Sequence, residues 1–379
     1  MKRIALAGLL TAILAGPQAL AEDEVERYDP LFTPAPQARL ATQGKLVGLE
    51  QVNGNFYAVG ALGTVVKYYA DGDWVQRDIP TSVLLTAVHA VDQEHLWAVG
   101  HEGVILQSTD GGVTWEFRMD GLQLLEMEYE WLQEREAYFE DAIAETDDEY
   151  EREDLEFQLD ELMFHIGGAE IQFEVGPTKP FLDVLFLNRD IGLVVGAYGT
   201  ILRTTDGGDT WSINTDAIDN PVGYHPNKLV LAADGTLVLV GEAGLLARSD
   251  DQGETFEMLD SPYHGSLFGA LYDQQNQLWV YGLRGNVFVS DNDGETFTDV
   301  QVNTRYNLNS GTVLADGRVV LVGHSGVIVV IDPDTLESTL YSHETNSPLS
   351  GVRESAENTL ILVGRAGVQT FQLPARIGH

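Results

Sequence analysis

The fold is decided by the stretch VGHEGVILQSTDGGVTW, which runs from Val99 to Trp115. A Gly-x-x-Gly turn comes first, and an apolar segment leads from it into an S-x-D-x-G-x-T-W motif, the Asp box. Glycine permits tight hairpins, and a short Asp side chain accepts hydrogen bonds from the amides of a turn. The stretch therefore predicts short antiparallel strands joined by two tight turns.

The Val-Gly-x-x-Gly pattern recurs through the chain and occurs seven times, with Tyr replacing Val in the fifth copy. The first glycines of the seven copies are Gly60, Gly100, Gly196, Gly241, Gly282, Gly323 and Gly364. Successive spacings are 40, 96, 45, 41, 41 and 41 residues. Four short strands with their turns need about this length, which is typical of a propeller blade. The predicted fold is an all-β, seven-bladed β-propeller over residues 45–374, with an α-helical hairpin inserted at the long spacing.

Four units carry an Asp box. Its residues are Ser108, Asp110, Gly112 and Trp115 in the second unit, Asp206, Gly208 and Trp211 in the third, Ser249, Asp251 and Gly253 in the fourth, and Ser290, Asn292 and Gly294 in the fifth. In each box the carboxylate or amide side chain accepts turn amides and the aromatic residue packs between blades. A Ca²⁺ loop has a different register of acidic residues. We therefore predict a structural role for the boxes, with no metal and no cofactor.

The insertion covers residues 120–176 and loses the strand pattern. Apolar residues at spacings of three and four, among them Leu132, Phe139 and Leu162, indicate two antiparallel helices. We expect a capping box, Thr146 to Glu149, to begin the second helix and Gly167-Gly168 to end it. The insertion has 20 acidic residues against two arginines, a net charge of −18. This predicts an acidic hairpin that carries the exposed aromatic residues Trp131, Tyr138 and Tyr150.

The N-terminus predicts export. Lys2 and Arg3 precede an apolar run, and Ala19-Leu20-Ala21 fits a signal peptidase site, so residues 1–21 are predicted to be a cleaved signal peptide and the location to be periplasmic. No later run is long enough to span a bilayer, so we expect no membrane insertion of the mature chain. Residues 22–44 contain prolines, and their Arg27 to Phe32 segment is expected to supply a missing outer strand of the last blade. Residues 375–379 form a tail.

The net charge of the whole chain limits the kinds of molecule that we expect it to bind. The net charge is −38, so nucleic acid is excluded as a partner and anionic lipid is disfavoured. Polar residues cluster at the paired-glycine turns and just before the inner strands, which share one face of a propeller. Together with the hairpin aromatics, the candidate partner-binding residues are His101, Glu102, Tyr198, Glu242, His264, Arg284, Arg305, His324 and Arg365.

The combination Val-Gly-x-x-Gly-x-Ile-Leu-x-[Ser/Thr]-Thr-Asp-Gly-Gly-x-Thr-Trp, found at 99–115 and 195–211, resembles the photosystem II stability/assembly factor family. The resemblance covers residues 45–373 apart from the insertion. It implies an exported seven-bladed propeller that acts as a non-catalytic assembly factor. Relatives in non-photosynthetic bacteria accompany envelope transport systems, often exporters of the resistance-nodulation-division (RND) type, and the acidic hairpin departs from the photosynthetic pattern.

The sequence and the resemblance together predict a periplasmic accessory scaffold, not an enzyme, that binds an envelope protein such as a membrane transporter through the face carrying the insertion. Two alternatives stay open. Asp boxes also occur in sialidases, although the Arg-Ile-Pro motif of those glycoside hydrolases is absent. A lectin-like module that binds glycans or peptides is the other alternative, since a fold alone does not fix a function.

Overall fold

The computed structural model describes residues 29–69 and 72–374. The predicted signal peptide and the C-terminal tail lie outside these residues. In the described part of the chain, no helix combines the length and the apolar character that crossing a membrane requires.

The strands form seven antiparallel sheets, one per repeat unit, and each sheet is a blade. Blade 1 contains β1 (Leu46–Val52), β2 (Asn55–Gly60), β3 (Val65–Tyr68) and β4 (Trp74–Gln76). Blade 2 contains β5 (Leu85–Ala90), β6 (Leu96–Gly100), β7 (Ile105–Ser108) and β8 (Glu116–Met119). Blade 3 contains β9 (Phe181–Phe186), β10 (Gly192–Gly196), β11 (Ile201–Thr204) and β12 (Ser212–Ile213). Blade 4 contains β13 (Pro226–Leu231), β14 (Leu237–Gly241), β15 (Leu246–Ser249) and β16 (Glu257–Met258). Blade 5 contains β17 (Leu267–Tyr272), β18 (Leu278–Gly282), β19 (Val287–Ser290) and β20 (Thr298–Asp299). Blade 6 contains β21 (Leu308–Val313), β22 (Val319–Gly323), β23 (Val327–Ile331) and β24 (Ser338–Ser342). Blade 7 contains β25 (Leu349–Ala356), β26 (Thr359–Gly364) and β27 (Gly367–Gln372). The predicted seven-bladed propeller is confirmed.

The second strand of each blade is almost entirely buried, because a neighbouring blade covers each of its two faces. All five residues of β14 and all five of β22 are buried. Each pair of adjacent blades shares one apolar cluster, and seven such clusters follow one another around the ring. The last of them joins blade 7 to blade 1 and includes Phe56 and Val363. Stability is therefore distributed over seven similar interfaces.

The N-terminal segment packs differently from our expectation. The sheet of blade 7 has three strands, and in the described residues β27 pairs with β26 alone. Residues 30–37 lie instead against residues 76–82, where Ala35 N donates to Ile79 O and Ser82 N donates to Pro30 O. Leu31, which is 2% exposed, fills the apolar cluster between blades 1 and 2. Burial of this side chain, rather than strand pairing, fixes the segment; Arg27 and Tyr28 lie outside the described residues.

The insertion is an antiparallel helical hairpin, as predicted, formed by α1 (Gly121–Glu145) and α2 (Glu149–Val175). Its internal core contains Leu132, Phe139, Leu162, Ile166 and Ala169. Two local predictions were wrong. Asp148, not Thr146, caps α2 by accepting from Tyr150 N and Glu151 N. The helix also continues through Gly167-Gly168 to Val175, because the packing of Ala169 and of Phe173 against α1 outweighs the glycine cost.

Candidate functional site

The propeller has two chemically different faces. The Gly-x-x-Gly turns, between the second and third strands, bond to residues that precede the inner strands: Ala61 N donates to Lys45 O, and His101 N donates to Leu84 O. We call this surface the glycine-turn face. The Asp boxes meet the loops between first and second strands on the opposite side, where Gly111 N donates to Glu94 O.

Most of the glycine turns contain one non-glycine residue whose backbone adopts the left-handed conformation. The residue before the second glycine has φ near +60°, for example 57° at Glu102, 61° at Tyr198 and 59° at Arg284. The following glycine is required as well, because a Cβ on Gly63 would lie 2.0 Å from Thr81 O. Six of the seven turns thus hold a non-glycine residue at positive φ in a fixed frame.

Two of the predicted side chains, those of Tyr198 and Glu242, contact the same histidine at the junction of blades 3 and 4. The Tyr198 ring is edge-on to the His225 imidazole, with ring centroids 5.1 Å apart. His225 Nδ1 lies 3.9 Å from a carboxylate oxygen of Glu242. His225 precedes the inner strand β13, and its part in this group was missing from the predicted set. The signal for it was its position before an inner strand.

His101 and Glu102 lie at the turn of blade 2, next to the start of the hairpin. Partial desolvation and the nearby Lys45 ammonium lower the pKa of His101. Partial desolvation and the Asp29 carboxylate raise the pKa of Glu102. Both shifts favour the neutral form of the side chain.

The other predicted residues of the glycine-turn face are spread around the ring. His264, Arg284, Arg305, His324 and Arg365 are all exposed. Within residues 29–69 and 72–374, no side-chain hydrogen bond or ion pair joins any two of these five. The structure thus places them on one face without assembling them into one cluster.

The Asp boxes form one repeated hydrogen-bond network. In blade 2, Asp110 accepts from Val113 N, Thr114 N, Thr114 Oγ1 and Ser108 Oγ, and Ser108 Oγ accepts from Gly112 N. Gly112 contacts the Tyr57 ring of blade 1, and Trp115 is buried in the cluster between blades 1 and 2. The side chains of Ser108, Asp110 and Thr114 are therefore engaged in fixing the turn, whereas the buried Trp115 Nε1 has no hydrogen-bond partner in the described residues. In the described residues no group of three or more His, Asp or Glu could hold a metal ion.

Charged pairs between inner strands were not predicted. Lys228 Nζ donates to Asp183 at 2.7 Å, joining β13 to β9, and Arg353 lies 3.3 Å from Glu50, joining β25 to β1. His89 on β5 is half-buried near both carboxylates, and desolvation lowers its pKa. Alternation along β1, β9 and β25 could have indicated inward-facing charges, but their pairing depends on register between distant repeats.

The hairpin is anchored to the glycine-turn face and to the outer edge of blades 2 and 3. Gly103 N donates to Lys179 O, and Gly121 contacts the Pro177 ring, so the two ends of the insertion meet at one turn. Leu124 and Met127 pack into the cluster between blades 2 and 3. Ion pairs join Lys179 to Glu128 and Arg135 to Asp216.

Of the three aromatic residues predicted to be exposed on the hairpin, two are exposed. Tyr138 and Tyr150 face solvent. Trp131 is half-buried in the hairpin core, with the Arg135 guanidinium 5.1 Å from its ring centroid. Trp131 therefore holds the hairpin to the propeller through Arg135, since Arg135 also pairs with Asp216.

The sevenfold ring and its repeated turns define a seven-bladed β-propeller with BNR-type repeats. The family profile of the photosystem II assembly factor YCF48 matches residues 169–265, which include all the strands of blades 3 and 4. The photosystem II assembly protein Ycf48 of Synechococcus sp. (strain JA-2-3B'a(2-13)) is 28% identical over 180 residues, 45% of this chain and 48% of that protein, so the match spans about half of the relative.

Solved structures extend the similarity to the whole ring. A structure of YCF48 bound to D1 peptide superposes with a TM-score of 0.59 at 13% identity, covering 92% of this chain and 98% of that one. YCF48 from Cyanidioschyzon merolae gives a TM-score of 0.56 at 14% identity, covering 89% and 97%. The WD40 propeller domain of Doa1 gives 0.57 at 9% identity, covering 91% and 97%. The resemblance to YCF48-like propellers is confirmed, and the low identities of the structures establish the fold alone.

Proposed function

We propose that this protein is a non-catalytic accessory scaffold that binds a protein client through the glycine-turn face and the helical hairpin. The observation that carries the proposal is the hairpin itself: a rigidly anchored arm with a net charge of −18 and solvent-facing aromatic residues. Charge steers the encounter with a basic partner, and aromatic residues supply binding energy when buried.

Two further observations support a binding role. The Ser, Asp and Thr side chains of the Asp box bond within their own turn, whereas several polar side chains of the opposite face are exposed. A YCF48 protein of the same fold has been captured with a D1 peptide, so this class of propeller includes a peptide binder.

We further propose that the protein works in the periplasm on an envelope complex, with an RND-type exporter as the leading candidate. The proposal rests on the predicted signal peptide and on the departure of the acidic hairpin from the photosynthetic pattern. Cell fractionation with a C-terminal tag tests the location. Recovery in the cytoplasm with residues 1–21 retained would contradict it.

The client-binding proposal is tested by affinity purification of two forms of the protein. In the second form a short Gly-Ser link joins Asp120 to Pro177, a replacement that the contact between Gly121 and Pro177 permits. Because Leu124 and Met127 leave the interblade cluster, circular dichroism must first show that the ring is folded. Loss of a specific envelope protein supports the proposal, and identical sets of bound proteins would contradict it.

The enzyme and lectin alternatives predict different results. A sialidase-like enzyme would hydrolyse a glycan from a broad panel and lose turnover in Arg284→Ala. A lectin-like module would show a thermal shift with a sugar in the same panel. Neither hydrolysis nor a shift is expected from a protein scaffold.

A further inference from the structure

The solvent side of α2 carries an apolar stripe that no part of the described chain covers. Tyr150, Phe157, Phe164 and Ile171 follow one another at intervals of seven residues and are 85%, 62%, 82% and 62% exposed. At 100° per residue this interval keeps the four side chains on one side of the helix. Leu155, Leu162 and Ile166, which face α1, lie on the opposite side. The helix is therefore apolar on two faces, and only one of them has a partner.

The stripe lies between two rows of carboxylates. Glu153 and Asp160 are on one side of it, and Asp154 and Glu161 on the other, all exposed. Phe164 and His165 line a shallow hollow together with Asp160 and Glu161. Arg152, the one basic residue between Glu149 and Val175 other than histidine, lies off the stripe and bonds to Thr146 O.

This arrangement specifies the chemistry of an occupant. An apolar stripe with seven-residue spacing fits the ridge of another α-helix, as in coiled coils. Flanking carboxylates require lysine or arginine beside that ridge. A second copy of this chain would oppose two hairpins of net charge −18, and an anionic membrane would be repelled in the same way.

We propose that the outer face of α2 binds a basic amphipathic α-helix of a partner protein, packed antiparallel or parallel along Tyr150 to Ile171 over roughly 30 Å. The inference rests on the proposed function and names the segment that the client presents. Phe157 and Phe164 anchor the apolar ridge, and the acidic rows pair with Lys or Arg. Gly167 and Gly168, where an added Cβ would meet no atom within 4 Å, allow close approach of the bound helix.

The first test uses peptides of about 21 residues, sized by the helical rise, and the full chain. One peptide has Leu at every seventh position with Lys on both sides; a second replaces Lys with Glu, and a third replaces Leu with Ser. Calorimetry should detect binding of the Lys-Leu peptide alone. Equal binding of the Lys-Ser peptide would overturn the proposal, because the surface would then be merely electrostatic.

Variants assign the binding to the stripe. Phe157→Ser/Phe164→Ser should weaken the Lys-Leu peptide on the order of tenfold to a hundredfold. Leu340→Ser, at an exposed apolar position on the outer strand β24 of blade 6, is the control and should leave the affinity unchanged. Asp160→Lys/Glu161→Lys should weaken the Lys-Leu peptide and strengthen the Glu peptide. Unchanged affinity in the Phe variant would overturn the proposal.

Photo-crosslinking identifies the natural occupant. A benzophenone amino acid at position 164, in cells, should crosslink to a Lys- or Arg-rich amphipathic segment. Crosslinks to a second copy of this chain or to lipid alone would overturn the inference. If the client is lost when Asp120 is linked to Pro177 but retained in Phe157→Ser/Phe164→Ser, the proposed function stands and this inference fails.

Discussion

Asn292 occupies, in blade 5, the position that an aspartate holds in the other three Asp boxes. Its side-chain oxygen accepts from Ser290 Oγ and from Thr296 N, and its amide nitrogen donates to Thr296 Oγ1. The geometry of the box therefore needs an oxygen acceptor at this position but no negative charge. The three boxes that carry an aspartate differ from this one because their contribution to stability depends on pH.

Asp110 and Asp251 should make the fold sensitive to acid. Desolvation alone raises the pKa of each, but hydrogen bonds from Thr114 and Ser108, or from Thr255 and Ser249, lower it to about 2. A lowered pKa in the folded state stabilises the fold above the ordinary value of 3.8. This stabilisation is lost as the pH falls from 3.8 towards 2.

We expect Asp110→Asn/Asp251→Asn to lose less stability than the wild type between pH 4 and pH 2. Urea midpoints measured across this range test the expectation. Asp147→Asn/Asp148→Asn, which removes the same charge from the hairpin loop, is the control for net charge. A wild-type acid response in the Asp-box variant would refute the assignment.

The sequence predicted the roles of residues that interact within one turn. It did not predict contacts between residues of different blades. The Asp-box residues act on neighbours two to four positions away, so their pattern contains the whole interaction. Lys228 and Asp183 are 45 residues apart, and Arg353 and Glu50 are 303 apart. Such pairs depend on strand register across blades, which no local pattern encodes.

At the scale of elements, the glycine pair of α2 is a weak point of the hairpin. Gly167→Ala/Gly168→Ala should stabilise the helix by up to about 1 kcal/mol per residue, because an added Cβ meets open space and alanine favours the helix. Hydrogen exchange of the α2 amides measures the effect. Gly121→Ala is the opposite control, since its Cβ would lie 2.1 Å from Glu102 O and should destabilise the fold.

Leu31 makes the N-terminal segment part of the fold. Leu31→Ala should cost about 2–4 kcal/mol of unfolding free energy, because it opens a cavity between blades 1 and 2. Leu40→Ala in the same segment, at an exposed position, should change it by less than about 0.5 kcal/mol. Chemical denaturation compares the two, and equal effects would contradict the packing described.

Element types were predictable here because periods of two and of three to four residues are physically distinct. Element ends were less so. Gly167-Gly168 carries a local stop signal, but contacts of Phe173 with Tyr129 and of Ala169 with α1 extend the helix beyond it. The segment near Leu31 could have paired with β27 instead, and the packing of Leu31 between blades 1 and 2 decided between the two arrangements.

At the scale of the molecule, the ring closes through the inner strands and side-chain packing, and the last blade has three strands within the described residues. Arg353 and Glu50 join β25 to β1 in a partly buried ion pair. Arg353→Met should destabilise the protein by about 1–3 kcal/mol, because Glu50 loses its partner. Arg353→Met/Glu50→Leu should recover part of this loss in thermal unfolding, and a larger loss in the double variant would contradict the coupling.

The number of blades was readable from the period, because each repeat must cover the next to bury its strands. How the ring closes could not be predicted from the sequence. The first and last repeats differ from the others, so no other pair of repeats shows how these two contact each other. The proposed client-binding surface was predictable only in part. Sequence pointed to the acidic hairpin and to Tyr150, but the role of Trp131 depended on where Arg135 and Asp216 met.

The meeting of Gly121 with Pro177 has a consequence for how such proteins diversify. Because the two ends of the 57-residue insertion touch, the ring accommodates the whole insertion at one turn. Arms of other lengths and sequences can therefore replace it, provided that they keep the apolar residues with which Leu124 and Met127 complete the cluster between blades 2 and 3. A library of hairpins grafted between Asp120 and Pro177 would test whether one ring can carry arms of different binding specificity.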